Sequence, residues 1–126
     1  MYDVRIINNE AILFDDDNMI NLEHLRNGNG NIRYNFTDGS YVRIWVDNNI
    51  LWFDSAGLCH RDDDMPAYIQ TNGYITYCKH GKGHRECGPS VIWPDGEGQY
   101  WLVGIEYVKN EFIEQINSNY GMIYHA

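Results

Sequence analysis

A chain of 126 residues, 44% hydrophobic and 14% aromatic, supports one compact domain and excludes intrinsic disorder, which arises where apolar surface is too scarce to offset ordering entropy. Its 18 Asp and Glu against 9 Lys and Arg leave a net charge of -9. That balance opposes direct binding to nucleic-acid backbones and adsorption to anionic membranes, because both need Lys and Arg to replace counterions. No apolar run reaches the roughly 20 residues of a spanning helix. Met1-Tyr2-Asp3-Val4-Arg5 has neither the basic nor the long apolar region of a secretory leader, so a cytoplasmic setting is expected. There the three cysteines stay as thiols and the sequon Asn35-Phe36-Thr37 goes unused.

Tyr2–Ile7 and Ala11–Phe14, rich in β-branched and aromatic residues, predict a hairpin around Asn8-Asn9. Asp15-Asp16-Asp17-Asn18 then reads as the N-terminal cap of a helix from about Asn18 to Arg26. Its apolar set is Met19, Ile20, Leu22 and Leu25, and Gly28 stands at the left-handed C-cap. From Asn31 to Val103 short strands alternate with Asp38-Gly39, Asp47-Asn48-Asn49, Asn72-Gly73 and Asp95-Gly96, which predict type I′ hairpins in an antiparallel meander. Val108–Ser118, with Phe112, Ile113 and Ile116 at helical spacing, predicts a closing helix, and Met122–Tyr124 a last short strand. The expected fold is α+β within one domain: a hairpin plus helix over 1–30, β-hairpin repeats over 31–104, and a helix and tail over 105–126.

Gly57-Leu58-Cys59-His60-Arg61 recurs as Gly81-Lys82-Gly83-His84-Arg85. Each leads to a proline segment, Pro66-Ala67-Tyr68-Ile69 and Pro89-Ser90-Val91-Ile92. With Tyr34–Gly39 upstream, the chain holds about two and a half copies, the first full one carrying an extra residue within Asp62-Asp63-Asp64-Met65. Asp38-Gly39 with Trp45, His60-Arg61 with Pro66-Ala67, His84-Arg85 with Gly88-Pro89-Ser90, and Asp95-Gly96 with Trp101 resemble the MORN-like β repeats common in bacteriophages and large DNA viruses. Gly104–Ile116 is similar to that family's ending. The resemblance covers about 31–117 and implies stacked hairpins, but no activity. The chain departs from the pattern at Asp64-Met65, where the glycine is missing, and at Asp47-Asn48-Asn49-Ile50.

A unit that recurs within one chain is architectural before it is catalytic, so His60, Arg61, Pro66, His84, Arg85, Gly88 and Pro89 read as structural: imidazoles bonded to turn backbone, guanidiniums paired with carboxylates of a neighbouring hairpin. Cys78, His80, His84 and Cys87 supply the ligand types of a tetrahedral zinc site. His60 recurs as His84 without those cysteines, so no metal is assigned to the set, and zinc stays an alternative. A small-ligand binder or hydrolase using His60 or His84 is a second alternative, but no catalytic motif accompanies either. Asp15, Asp16, Asp17, Asp54, Asp62, Asp63 and Asp64 form the candidate acidic face. The function expected from charge and resemblance is a non-catalytic interaction module, a small phage-type inhibitor that binds a host nucleic-acid-handling protein through an acidic, aromatic-rich surface.

Overall fold

The computed structural model describes residues 1–120, so the strand expected at Met122–Tyr124 lies outside the described residues. Three strands open the chain, β1 Tyr2–Ile7, β2 Glu10–Asp15 and β3 Asn18–Asn21, and pair in that order as an antiparallel sheet. A 3₁₀ turn at Glu23–Leu25 leads into a meander: β4 Ile32–Asn35, β5 Tyr41–Ile44, β6 Ile50–Phe53, β7 Tyr68–Ile69 and β8 Ile75–Thr76. The short hairpin β9 Cys78–Lys79 and β10 Lys82–Gly83 projects before the chain returns as β11 Val91–Ile92, β12 Gly98–Leu102 and β13 Ile105–Tyr107. Strands β4 to β8 and β11 to β13 form one eight-stranded antiparallel sheet, each neighbour in the sheet also its neighbour in the chain apart from that excursion. Helix α1, Lys109–Asn119, closes the described chain.

Period-two alternation decides what is buried. Along β5 and β6, Val42, Ile44, Ile50 and Trp52 turn inward, and Ile32 of β4 joins them. Val4, Ala11, Leu13 and Leu22 cover them from the N-terminal sheet, making one shared core. A second core joins Leu102 of β12 to Phe112 and Ile116 of α1, flanked by Tyr100 and Tyr107. Helix α1 therefore lies where its apolar spacing predicts, with Phe112 and Ile116 fully buried.

One loop geometry recurs six times along the chain. Loops starting at Asn27, Phe36, Trp45 and Asp54 follow at constant nine-residue intervals, and the same loop recurs at Gln70 and Trp93. In each, the first residue donates to the carbonyl four residues on, and the amide of the fourth donates back to the first. That fourth residue is left-handed: Gly30, Gly39, Asn48, Gly57, Gly73 or Gly96. The structure corrects the type I′ expectation here, because only one residue per loop has positive φ. The form is a type I turn closed by a left-handed residue, whose Asx side chain accepts the next-but-one amide, as Asp38 does from Ser40 at 2.9 Å. Two consecutive left-handed residues occur instead at Asn8-Asn9, Asp63-Asp64, His80-Gly81 and Val103-Gly104.

The helix expected over 18–26 is also corrected. Asp15 pairs Asn18 across a two-residue turn at Asp16-Asp17, so this acidic run reverses a strand and caps no helix. Met19 is exposed while Leu22 is buried. The apolar spacing suited a helix, but the neighbouring β2 edge offered a ladder of hydrogen bonds and tertiary pairing overrode the local pattern. Gly28 is not the left-handed residue; Gly30 is, at φ 82°.

Phe112→Ala removes the largest fully buried side chain from the C-terminal core and is expected to cost about 3–5 kcal/mol. Urea unfolding followed by tryptophan fluorescence checks this, with a shifted midpoint and an unchanged slope as the expected result.

Candidate functional site

The repeated His-Arg pair builds the same staple twice. His60 Nδ1 accepts the amide of His80 at 3.0 Å, and its Nε2 lies 3.0 Å from Asp62 Oδ1. In the second copy His84 Nδ1 accepts the amide of Val103 at 2.9 Å, and its Nε2 lies 2.7 Å from Glu86 Oε2. An imidazole that accepts at Nδ1 must carry its proton at Nε2. Both histidines are therefore neutral Nε2–H tautomers with no nitrogen to spare. Each holds the first residue of a left-handed pair, His80-Gly81 or Val103-Gly104, whose amide would otherwise need another acceptor.

The guanidiniums repeat as well. Arg61 donates to the Pro66 carbonyl at 3.1 Å and lies 4.0 Å from the Trp52 ring centroid; Arg85 donates to the Pro89 carbonyl at 3.2 Å and lies 3.9 Å from that of Tyr77. Each then reaches back to an earlier segment. Arg61 bonds the Tyr2 carbonyl at 2.8 Å and Asp3 at 3.4 Å, while Arg85 grips Asp64 with Nε and Nη2 at 2.8 and 3.2 Å. Burial pulls the Arg61 pKa below its ordinary value, and Asp3 opposes that pull. The extra residue of the first copy thus has a use: Asp63-Asp64 form a left-handed turn that brings Asp64 to Arg85. Gly88 stands where a Cβ would meet Arg85 Nη1 at 3.3 Å.

His80 breaks the symmetry. Its place in the second copy is taken by Val103, at nearly the same φ, 47° against 49°. The fold therefore asks only for an amide at this position. The His80 ring stacks on His60 with centroids 3.9 Å apart, and its Nδ1 lies 2.8 Å from Asp54 Oδ2. Asp54 is buried, and its Oδ1 accepts the amides of Ala56 and Leu58, both at 2.9 Å. The His80 hydrogen bond, with the Leu58 amide second, holds the Asp54 carboxyl below the usual carboxylate range. Asp54 accepts the Nδ1–H, so in the neutral ring it is Nε2 that carries the lone pair, and no hydrogen bond from the described residues reaches it. The His80 side chain is 65% exposed, which leaves that nitrogen accessible.

Asp54, His60 and His80 line a groove of about 460 Å³ together with Tyr2, Phe36, Asp38, Trp52, Phe53, Asp62 and Asp63. Tyr2 sits across the ladder from Asp15, and the nearby carboxylates of Asp15, Asp38 and Asp16 raise its phenol pKa, Asp15 most. Acidic residues of separate hairpins thus gather at one groove, Asp38, Asp54, Asp62 and Asp63 on its walls and Asp15 and Asp16 beside its Tyr2 rim. Asp64 is committed to Arg85 and Asp54 to its turn and His80; Asp16, Asp17, Asp62 and Asp63 remain exposed. Sequence reasoning missed Asp38 as a wall of this site, along with the Asp54–His80 pair.

The zinc set does not come together: His80 faces the groove, whereas Cys78, His84 and Cys87 border a second hollow of about 210 Å³ with both nitrogens of His84 already bonded. No group of three or more His, Cys, Asp or Glu suited to hold an ion occurs among the described residues. Cys78 instead interacts with Cys59: a hydrogen bond between the thiols pushes Cys59 up and Cys78 down. Among the described residues no helix is long and apolar enough to cross a membrane. No protein-family model, curated protein or solved structure matches the chain.

Because the folded pKa of Asp54 is depressed, the stability it confers is complete above the unfolded carboxylate value of about 3.9 and is lost as pH falls through the lower folded value. The stability difference between wild type and Asp54→Asn is therefore expected to be constant near neutrality and to shrink in acid, measured by urea unfolding at a series of pH values.

Proposed function

We propose that this chain is a non-catalytic interaction module that offers an acidic groove to a basic surface of a partner protein. The partner we favour is a host protein that normally grips nucleic acid, which the module would inhibit. The observation that carries this reading is the convergence of Asp38, Asp62 and Asp63 with the Tyr2 rim and its Asp15 and Asp16 around one concave site. A concave surface lined by one sign of charge focuses the field and accelerates encounter with the opposite sign. Two cations also line the groove, the Arg61 guanidinium, paired with Asp3, and the Met1 ammonium, paired with Asp16, against the four carboxylates of Asp38, Asp54, Asp62 and Asp63.

Two features support a non-catalytic role over the hydrolase alternative at His60 or His84. Each imidazole has both nitrogens engaged, so neither offers a free lone pair for general-base work. The MORN-like resemblance, itself a proposal resting on the repeated unit, brings no activity. It is the source of the phage-type setting.

A labelled peptide rich in arginine and lysine, titrated at about 0.05 and 0.3 M salt, tests the reading, since salt at the higher level screens exposed charges beyond a few ångströms. Asp62→Asn with Asp63→Asn is expected to slow association and flatten its salt dependence, while Glu111→Gln with Glu114→Gln, on the exposed side of α1, leaves both unchanged. Equal effects of the two double variants, or no binding by the wild type, would contradict it.

A further inference from the structure

The repeat separates the three histidines of this region by function. His60 and His84 occupy equivalent places and perform the same structural task, whereas His80 stands where the second copy has Val103. Nothing in the architecture asks for an imidazole there, yet this one is oriented by a buried carboxylate, stacked on a second ring, and left with an open nitrogen in the groove.

The surroundings narrow what that nitrogen can meet. Phosphate and carboxylate ligands would face the carboxylates of Asp38, Asp54, Asp62 and Asp63, while the two lining cations are already paired, Arg61 with Asp3 and the Met1 ammonium with Asp16. A metal ion would need further ligands grouped with His80, and no such group exists among the described residues. A nitrogen cation fits: a neutral Nε2 accepts its N–H, the carboxylates match its charge, and Phe36, Trp52 and Phe53 supply apolar wall. Among nitrogen cations, a guanidinium presents a planar fork of donors to several separate acceptors, whereas an ammonium is a compact, strongly hydrated point charge. The groove's volume, about 460 Å³, is of the size that takes a ligand side chain.

We infer that the Asp54–His80 pair is the recognition element of the groove, its Nε2 accepting a hydrogen bond from an arginine side chain of the partner while Asp38, Asp62 and Asp63 match the charge. This inference rests on the acidic-groove reading and adds the chemical identity of the group bound. His80 is a specificity-determining residue in this arrangement, and Asp54 a positioning residue that fixes its tautomer.

Two peptides of equal length and charge, one with arginine and one with lysine at every basic position, test it by calorimetric titration of wild type, His80→Val, His80→Gln and the Asp62→Asn, Asp63→Asn pair. His80→Val copies the residue that already serves at the equivalent turn, and a thermal melt checks that it folds. His80→Gln keeps a donor for Asp54 and an acceptor for the ligand. The wild type is expected to prefer the arginine peptide by about tenfold, the value of one hydrogen bond to a charged group. His80→Val should lose that preference while retaining salt-dependent binding of the lysine peptide, His80→Gln should recover part of it, and the Asn pair should weaken both peptides. A preference that survives in His80→Val, or its absence from the wild type, would overturn the arginine assignment and leave the acidic groove standing. Failure of both peptides to bind would overturn both.

Discussion

The first amide of a tight left-handed turn has no strand opposite to accept it, and here an imidazole does. His60 takes the amide of His80 and His84 that of Val103, at 3.0 and 2.9 Å. Because each ring stands in the extended segment that leads into a proline, the bond ties a projecting turn to the preceding copy. The adjacent arginine then closes the unit by bonding a proline carbonyl, covering an aromatic ring and catching a carboxylate from an earlier segment. Strands of two residues cannot hold a sheet together by ladder bonds alone. The side-chain staples hold β7 to β11 in place.

This staple also makes the groove. Arg61 reaches Tyr2 and Asp3 and so draws the N-terminal sheet against the hairpins, setting the Tyr2 rim beside Asp62 and Asp63. His60 accepts the amide of His80 at its ring edge and stacks on the His80 ring with its face, so the structural bond and the stack act on the same residue. An acidic site assembled by backbone-anchored elements is more rigid than one on a free loop, which suits a surface that must hold like charges close together.

Much of the fold was legible because its signals were local. Asn8-Asn9, the Asx-Gly loops and the Phe112/Ile116 spacing each have a short-range physical cause. The segment 18–26 was not, because Met19, Ile20, Leu22 and Leu25 satisfy a helical period equally well and the deciding partner, β2, precedes them as a ladder that only the fold reveals. Yet Asp16-Asp17 resembles Asn8-Asn9 in composition and follows a strand of equal length, a cue that could have marked a second hairpin. The candidate site was half legible. Repetition marks His60 and His84 as architectural, but His80-Gly81 and Val103-Gly104 share only a glycine, so the place where the two copies differ has no sequence signal. The Asp54–His80 contact joins residues 26 apart, and Asp38 enters the groove from another hairpin; neither has a sequence signature.

Nitrogen-15 NMR of the imidazoles tests the central division most directly, since it reports which ring nitrogen carries the proton. The account predicts Nε2–H tautomers for His60 and His84, with Nδ1 coupled to the amides of His80 and Val103, and the opposite Nδ1–H tautomer for His80 with an open Nε2. A His80 in the same tautomer as the other two, or a His60 whose Nδ1 shows no coupling to the His80 amide, would contradict it.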